Sequence, residues 1–196
     1  MAGIYIPQAL YDLPRNPLLA VGVPVLLGTA SGIITRSSVD SWYEALKKPP
    51  GEPRRVVFPV AWTALYTGMG YASHLLSVAS LSPSPTIRSN AETAMTLYWS
   101  QLALNLLWTP LFFGSRQPGP ALANIVVLTG TVATLTVKAH KAAPETLFIF
   151  GPYLAWLSYA TYLNAGVWWL NYGEKLYQKH IKGKDDPTGG ISKPKI

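Results

Sequence analysis

Every Asp, Glu, Lys and Arg of this chain falls outside five stretches, residues 17–35, 56–80, 93–113, 119–137 and 146–172. The shortest has 19 residues, and at about 1.5 Å per residue it reaches about 28 Å, close to the hydrocarbon thickness of a bilayer. One such run suits the buried helix of a large soluble core. Five of them, joined by short polar connectors, predict an all-α membrane protein, a five-transmembrane-helix bundle. The 196 residues leave room for one small bundle. A charged fraction of only 13% against 49% hydrophobic residues agrees.

The boundaries carry their own marks. Asn16-Pro17 opens the first span and Arg36 closes it; Pro118 and Pro120 suit the start of a helix, where a missing N–H costs nothing. Lys138 ends the fourth span and Glu145 precedes the fifth. Trp42, Tyr43, Trp99, Trp168, Trp169 and Tyr172 fall near span ends, as an interfacial belt requires. Residues 1–16 lack the layout of a cleaved signal or transit peptide and are expected to be retained. The five-helix domain is expected over 17–172. The basic segment 173–196, ending "GKDDPTGGISKPKI", is expected to be a disordered tail.

The net charge of +7 is unevenly placed. The N-terminus and the second and fourth connectors hold four Lys and Arg; the first and third connectors and the tail hold twelve. The positive-inside rule therefore places the long first connector and the C-terminus in the cytosol. The basic face is read as lying against anionic headgroups, so nucleic acid is not expected as a partner. There is no cysteine, and His74, His140 and His180 are scattered, so no metal-ligand spacing exists. No phosphate-cradling glycine loop and no Ser/His/Asp constellation is present either. No charge lies inside a span, which argues against a proton relay or an ion-coupled pump.

The stretch "SQLALNLLWTPLFFG" (100–114) carries two carboxamides that a lipid-facing helix has no use for. On a helix, Tyr98, Gln101, Asn105, Trp108 and Phe112 share one face. The second span repeats the layout with Trp62, Tyr66, Gly70 and His74, and the fifth with Trp156, Ala160, Asn164 and Trp168; the fourth adds Asn124. Amides between transmembrane helices often serve only as glue, at about 0.6 kcal/mol per pair. For Gln101 alone that reading leads. Close helix contacts, however, normally use small residues rather than Trp and Tyr. Rings alternating with Ala160 and Gly70 leave room beside them, and rings with a few fixed polar groups form the usual small-molecule site. A ligand cavity is therefore preferred over packing alone. Pro24, Pro59, Pro110 and Pro152 invite kinks in or near the ends of four spans. Gly28 and Gly32 permit close approach of another helix, in a dimer or within the chain.

Four segments, "WYEALKKPPGEP" (42–53), "FPVAWTALYTGMGYAS" (58–73), "SQLALNLLWTPLFFGSRQPGPAL" (100–122) and "PYLAWLSYATYLNAGVWWLN" (152–171), closely resemble the TspO/MBR family, once called peripheral-type benzodiazepine receptors. The resemblance covers about residues 18 to 172. It implies a five-helix bundle, often a homodimer, whose cavity is covered by the first connector as a lid. It implies binding of porphyrins such as protoporphyrin IX or haem, of sterols such as cholesterol or an ergosterol-like molecule, and of synthetic benzodiazepine or isoquinoline ligands. By similarity the cavity residues are Trp62, Tyr66, Asn105, Trp108, Trp156, Ala160 and Leu163, to which the amide stripe adds Asn164. The lid would use Trp42, Lys48, Pro49, Pro53, Arg54 and Arg55. Animal members sit in the mitochondrial outer membrane with the C-terminus cytosolic, plant members in endoplasmic-reticulum-derived secretory membranes.

Departures from the family pattern bear on ligands. Gly51, Pro53-Arg54 and Val56 replace aromatic and proline positions of the lid, which gains Arg54 and Arg55 toward porphyrin propionates and loses surface for drugs. Asn124 stands where animal relatives carry Asp, and Pro120 where they carry a pocket Trp. The sterol-motif tyrosine and basic residue are Ala165 and Trp169; a degenerate copy, Leu170, Tyr172 and Lys175, follows, and an interfacial Tyr and Lys are expected there anyway. Three readings remain: a receptor or carrier for tetrapyrroles and sterols, a porphyrin-degrading photo-oxidation using Trp62 and Trp156, and a structural membrane partner. No acid–base pair or cofactor motif supports ordinary turnover, so the first is preferred.

Overall fold

The computed structural model of the protein describes residues 7–174, with every side chain among them except those of 36–40. Helix α1 (Ala9–Asp12) leads into five long helices, α2 (Pro17–Ser38), α3 (Val57–Ala79), α4 (Pro85–Thr109), α5 (Pro118–Ala142) and α6 (Leu147–Trp168). No strand occurs among the described residues. Each charge-free stretch overlaps one long helix. The expected tail beyond Glu174, with Lys175 of the sterol motif, lies outside the described residues.

Local chemistry sets the ends. The Asn16 side chain accepts from Leu18 N at 2.9 Å and Pro17 occupies the first turn, so α2 starts capped. Pro85 and Pro118 open α4 and α5 in the same way. α4 begins eight residues before the charge-free stretch, because Arg88 and Glu92 lie exposed in its first turns and interrupt no helical bond. Pro110 ends the α-helical part of α4. Lacking an N–H, it starts a wider turn over Pro110–Gly114, in which Ser115 N reaches Pro110 O at 2.8 Å. Similar wide turns cover Val39–Tyr43 and Trp169–Gly173.

Side-chain pairs fix the directions. Gly70 of α3 abuts Ala20 of α2, and Gly28 abuts Tyr66, so these helices are antiparallel. Asn124 donates to Leu104 O at 3.0 Å, and Thr129 meets Thr161 at 3.1 Å, which sets α5 antiparallel to both α4 and α6. Gln101 pairs with Tyr153 and Asn164 with Trp108, so α4 and α6 run parallel. The result is an up-and-down bundle whose connections are short except for the first, residues 39–56.

The bundle is built for lipid. Leu18, Leu26, Ile34 and Phe148 point outward at 81%, 70%, 79% and 82% exposure, a belt that water would not tolerate. Many hydroxyls within the helices donate to the carbonyl one turn back, as at Thr67, Thr136, Ser158 and Thr161, and these need no water. By length and composition alone, Pro17–Thr35 and Pro118–Ala142 are apolar enough to cross a membrane. α3, α4 and α6 carry the aromatic and amide stripes that lower their apolarity.

The half of the bundle nearest the N-terminus is solid. Met69, Leu76, Met95, Tyr98, Leu135 and Phe150 fill it, and small residues such as Ala72, Ala94 and Ser73 let the backbones close up. Residues 9–15 cap this end: Trp99 Nε1 donates to Leu10 O at 2.9 Å, Ser77 Oγ to Tyr11 O at 2.8 Å, and His74 Nδ1 lies 2.9 Å from Pro14 O. A carbonyl only accepts, so Nδ1 of His74 carries the proton. Sequence reading leaves His74 as packed or interfacial, and this bond gives it a structural place.

Candidate functional site

The other half is hollow. A cavity of about 580 Å³ lies among all five long helices and the first connector. Each helix lends a different kind of wall: Gly28 from α2, Trp62 from α3, Asn105 from α4, Leu128 from α5 and Ala160 from α6.

Its floor is a chain of hydrogen bonds. Tyr66 Oη donates to Asn105 Oδ1 at 2.5 Å, and Asn105 Nδ2 donates to Tyr153 Oη at 2.9 Å. Tyr153 Oη in turn donates to Gln101 Oε1 at 2.8 Å, and Gln101 Nε2 ends 3.5 Å from Met69 Sδ. Gln101 and Tyr153 are fully buried. In a medium without water these groups satisfy one another or not at all. The chain thus fixes the amide of Asn105, whose side chain lines the hollow. Gln101 is helix glue, one level below.

The wall carries a second amide. Asn164 Oδ1 accepts from Trp108 Nε1 at 3.0 Å while its Nδ2 donates to Pro118 O at 2.9 Å. The Trp108 indole is thereby held in one orientation and stacks on Phe112 at 4.9 Å. Trp62 faces the hollow from α3, 5.7 Å from the Tyr66 ring. The roof comes from the wide turn after Pro110: Phe112 and Phe113 turn inward there and meet Tyr43 edge-on at 5.9 and 5.7 Å.

The connector ends in polar groups. Tyr43 Oη donates to Glu52 at 2.9 Å, and Lys48 lies 3.7 Å from Glu52 and 4.7 Å over the Tyr43 ring. Burial, then the bond to Glu52, push the Tyr43 phenol well above its ordinary pKa, so it stays a donor. Arg55 lines the hollow and forms an ion pair with Glu44. Residues 47–51 are tied to α6 and the turn that follows it. Asn171 accepts from Lys47 N at 3.0 Å and donates to Lys47 O at 2.8 Å; Tyr159 and Tyr162 donate to the carbonyls of Gly51 at 2.5 Å and Pro50 at 3.0 Å. Pro49 is buried against Gly166, where a Cβ would lie 2.6 Å from the proline ring. Gly51 has φ +87°, a conformation that favours glycine.

Of the residues expected at the site, Trp62, Tyr66, Asn105, Trp108, Ala160, Leu163 and Asn164 come together around the hollow. Trp156 does not line it. Its ring packs on Phe58 at 6.1 Å and Tyr159 at 5.7 Å, with a buried indole N–H that has no partner. The inward face of α6 runs through Leu157, Ala160, Asn164 and Val167, with Tyr153 below; the expected stripe holds at Ala160 and Asn164 and misses at its two ends, Trp156 and Trp168. Among the connector residues, Arg55 reaches the hollow while Arg54 is exposed and Pro53 half-buried. Trp42 packs on Phe112 at 5.7 Å. Leu170 is half-buried and Tyr172 is 36% exposed at the end of α6. Sequence reasoning missed the whole contribution of α2 as lining, namely Val25, Gly28, Thr29, Gly32, Ile33 and Thr35, because that helix has no aromatic or amide stripe. It also missed Tyr43 and Phe113 as lining residues.

A bundle with an outward apolar belt and an interior hollow walled by rings and fixed amides defines a helical membrane protein with an internal cavity. The chain belongs to the TspO/MBR family, whose model matches residues 20–170. It is 41% identical over 165 residues to the translocator protein homolog of Schizosaccharomyces pombe, covering 84% of this chain and 97% of that one. It is 39% identical over 132 residues to the translocator protein of Homo sapiens, covering 67% and 76%. Identity to the tryptophan-rich sensory protein of Cereibacter sphaeroides is 37% over 155 residues, covering 79% and 89%.

Proposed function

We propose that this protein is a five-span membrane receptor or carrier that holds a tetrapyrrole, such as protoporphyrin IX or haem, in the hollow, and that takes sterols there as well. The observation that carries this reading is the hollow itself, about 580 Å³, with Trp62 and Trp108 presented to it and few hydrogen-bonding groups left free. That size lies inside the range of small-molecule sites. The amides and phenols are already paired within the protein, so the ligand body should be apolar and ring-shaped. Its acidic groups belong at Arg55, where a propionate competes with Glu44. The first connector acts as the lid, through Trp42, Lys48, Pro49, Pro53, Arg54 and Arg55. The basic lid face is cytosolic, in the mitochondrial outer membrane or, as the alternative, in secretory membranes, and the protein works as a homodimer.

Protoporphyrin IX should quench the intrinsic tryptophan fluorescence of purified protein saturably. Trp62→Phe combined with Trp108→Phe should weaken binding at least about tenfold, equivalent to about 1.4 kcal/mol. Unchanged affinity in that double variant overturns the reading. Cholesterol should compete with the porphyrin; additive binding of the two would separate their sites.

A further inference from the structure

α2 and α3 touch closely at two levels. At Gly70 a Cβ would lie 2.6 Å from Val21 Cα, and at Gly28 it would fall on the Tyr66 ring. One turn nearer the lid, a Cβ on Gly32 meets nothing within 4 Å. At that level α2 presents open space rather than a contact with α3. Thr29, Gly32 and Ile33 on α2 and Pro59 and Thr63 on α3 line the hollow and are themselves exposed. The flanks of this gap are apolar, with Ile33 at 70% and Val60 at 66% exposure. It lies in the lipid-facing belt.

Two other ways out are obstructed. The lid is bound to α6 and the turn after it through Asn171, Tyr159 and Tyr162, and Pro49 is seated on Gly166. The far half of the bundle is filled by core side chains and capped by residues 9–15.

We propose that ligands pass between the hollow and the acyl-chain region of the lid-side leaflet sideways, through the window between α2 and α3, while the lid stays shut. Gly32, with Thr29 and Thr63 beside it, sets the width of the window and so selects flat, lipid-soluble molecules. A molecule of that kind partitions into the bilayer first, so a sideways route never returns it to water. The inference rests on the hollow being a ligand site.

The chain lacks cysteine, so one introduced thiol is unique. In phosphatidylcholine vesicles, a nitroxide on Gly32→Cys should be relaxed by oxygen and not by a water-soluble nickel chelate; the reverse overturns the proposal. In the same vesicles, Gly32→Leu should slow both association and dissociation of protoporphyrin IX about tenfold, with Gly32→Ala intermediate. A side chain that merely took up binding volume would speed dissociation instead, and that result, or no change in either rate, overturns the window. Asn171→Ala, which loosens the lid, should leave both rates within about twofold; faster exchange in that variant transfers the route to the lid. If the unmodified protein shows no saturable quenching, the tetrapyrrole reading fails, and the nitroxide accessibility still decides the window.

Discussion

Tyr153 holds the floor of the hollow together through one oxygen. It accepts from Asn105 and donates to Gln101, so Tyr153→Phe orphans two amide groups in a place that water does not reach. The expected cost is about 2 kcal/mol, or about 4–8 °C in the thermal midpoint followed by circular dichroism in detergent. Trp156 is the opposite case. Its indole N–H is already unpartnered, so Trp156→Phe removes a buried donor that nothing satisfies and should leave the midpoint within about 2 °C. The same variant should hold protoporphyrin IX within about threefold of the parent affinity, because the ring does not line the hollow. A photo-oxidation that runs through Trp156 would contradict that placement. Asn105 and Trp108 were legible from spacing alone, since a lipid-facing helix has no use for an amide. The opposite assignment of Trp156 follows from a small angular difference on α6 that a stripe drawn at fixed steps of four residues does not resolve.

The helices owe their separations to a few small residues. Pro24 has no N–H, so the carbonyl of Ala20, one turn back in α2, has no helical partner. Gly70 of α3 approaches that carbonyl, and any Cβ there would collide with it and with Val21. Gly70→Ala should therefore force α2 off α3 and cost about 1–3 kcal/mol, read as a lower denaturation midpoint in detergent. Gly166→Leu should act on one element only. It would displace Pro49 from α6, and amide exchange over residues 47–52 should rise while that of α3 and α4 stays unchanged. The five long helices were legible because each is built around a charge-free stretch. The wide turn after Pro110 was not, because a proline near a span end marks a break without saying how the chain continues. Its consequence, Phe112 and Phe113 turned into the roof, is a three-dimensional outcome.

The molecule is divided across its middle, and the division follows composition. Toward the N-terminal end the inward positions are Ala72, Ala91, Ala94, Ala139 and Ser73, which let helices approach, with Met69, Leu76, Met95 and Phe150 filling what remains. Toward the lid end the inward positions alternate large rings with Gly28, Gly32 and Ala160, and the rings lean on one another around empty space. Helices gain no hydrophobic driving force from each other in lipid, so packing contacts carry the stability. The hollow half lacks those contacts and should be the part that opens first. A ligand in the hollow supplies them. At a free concentration of about 100 times its dissociation constant it should add about 2.7 kcal/mol to the folded state. That gain should be confined to the half where the contacts form. Hydrogen exchange followed with and without protoporphyrin IX should show added protection across residues 57–66, 105–113 and 157–167. Protection over residues 69–77 and 91–102 should stay as it was, being set already by the solid half. Uniform protection along all five helices would mean that the ligand acts on the bundle as a whole, and no protection at all would mean that the rings serve packing alone.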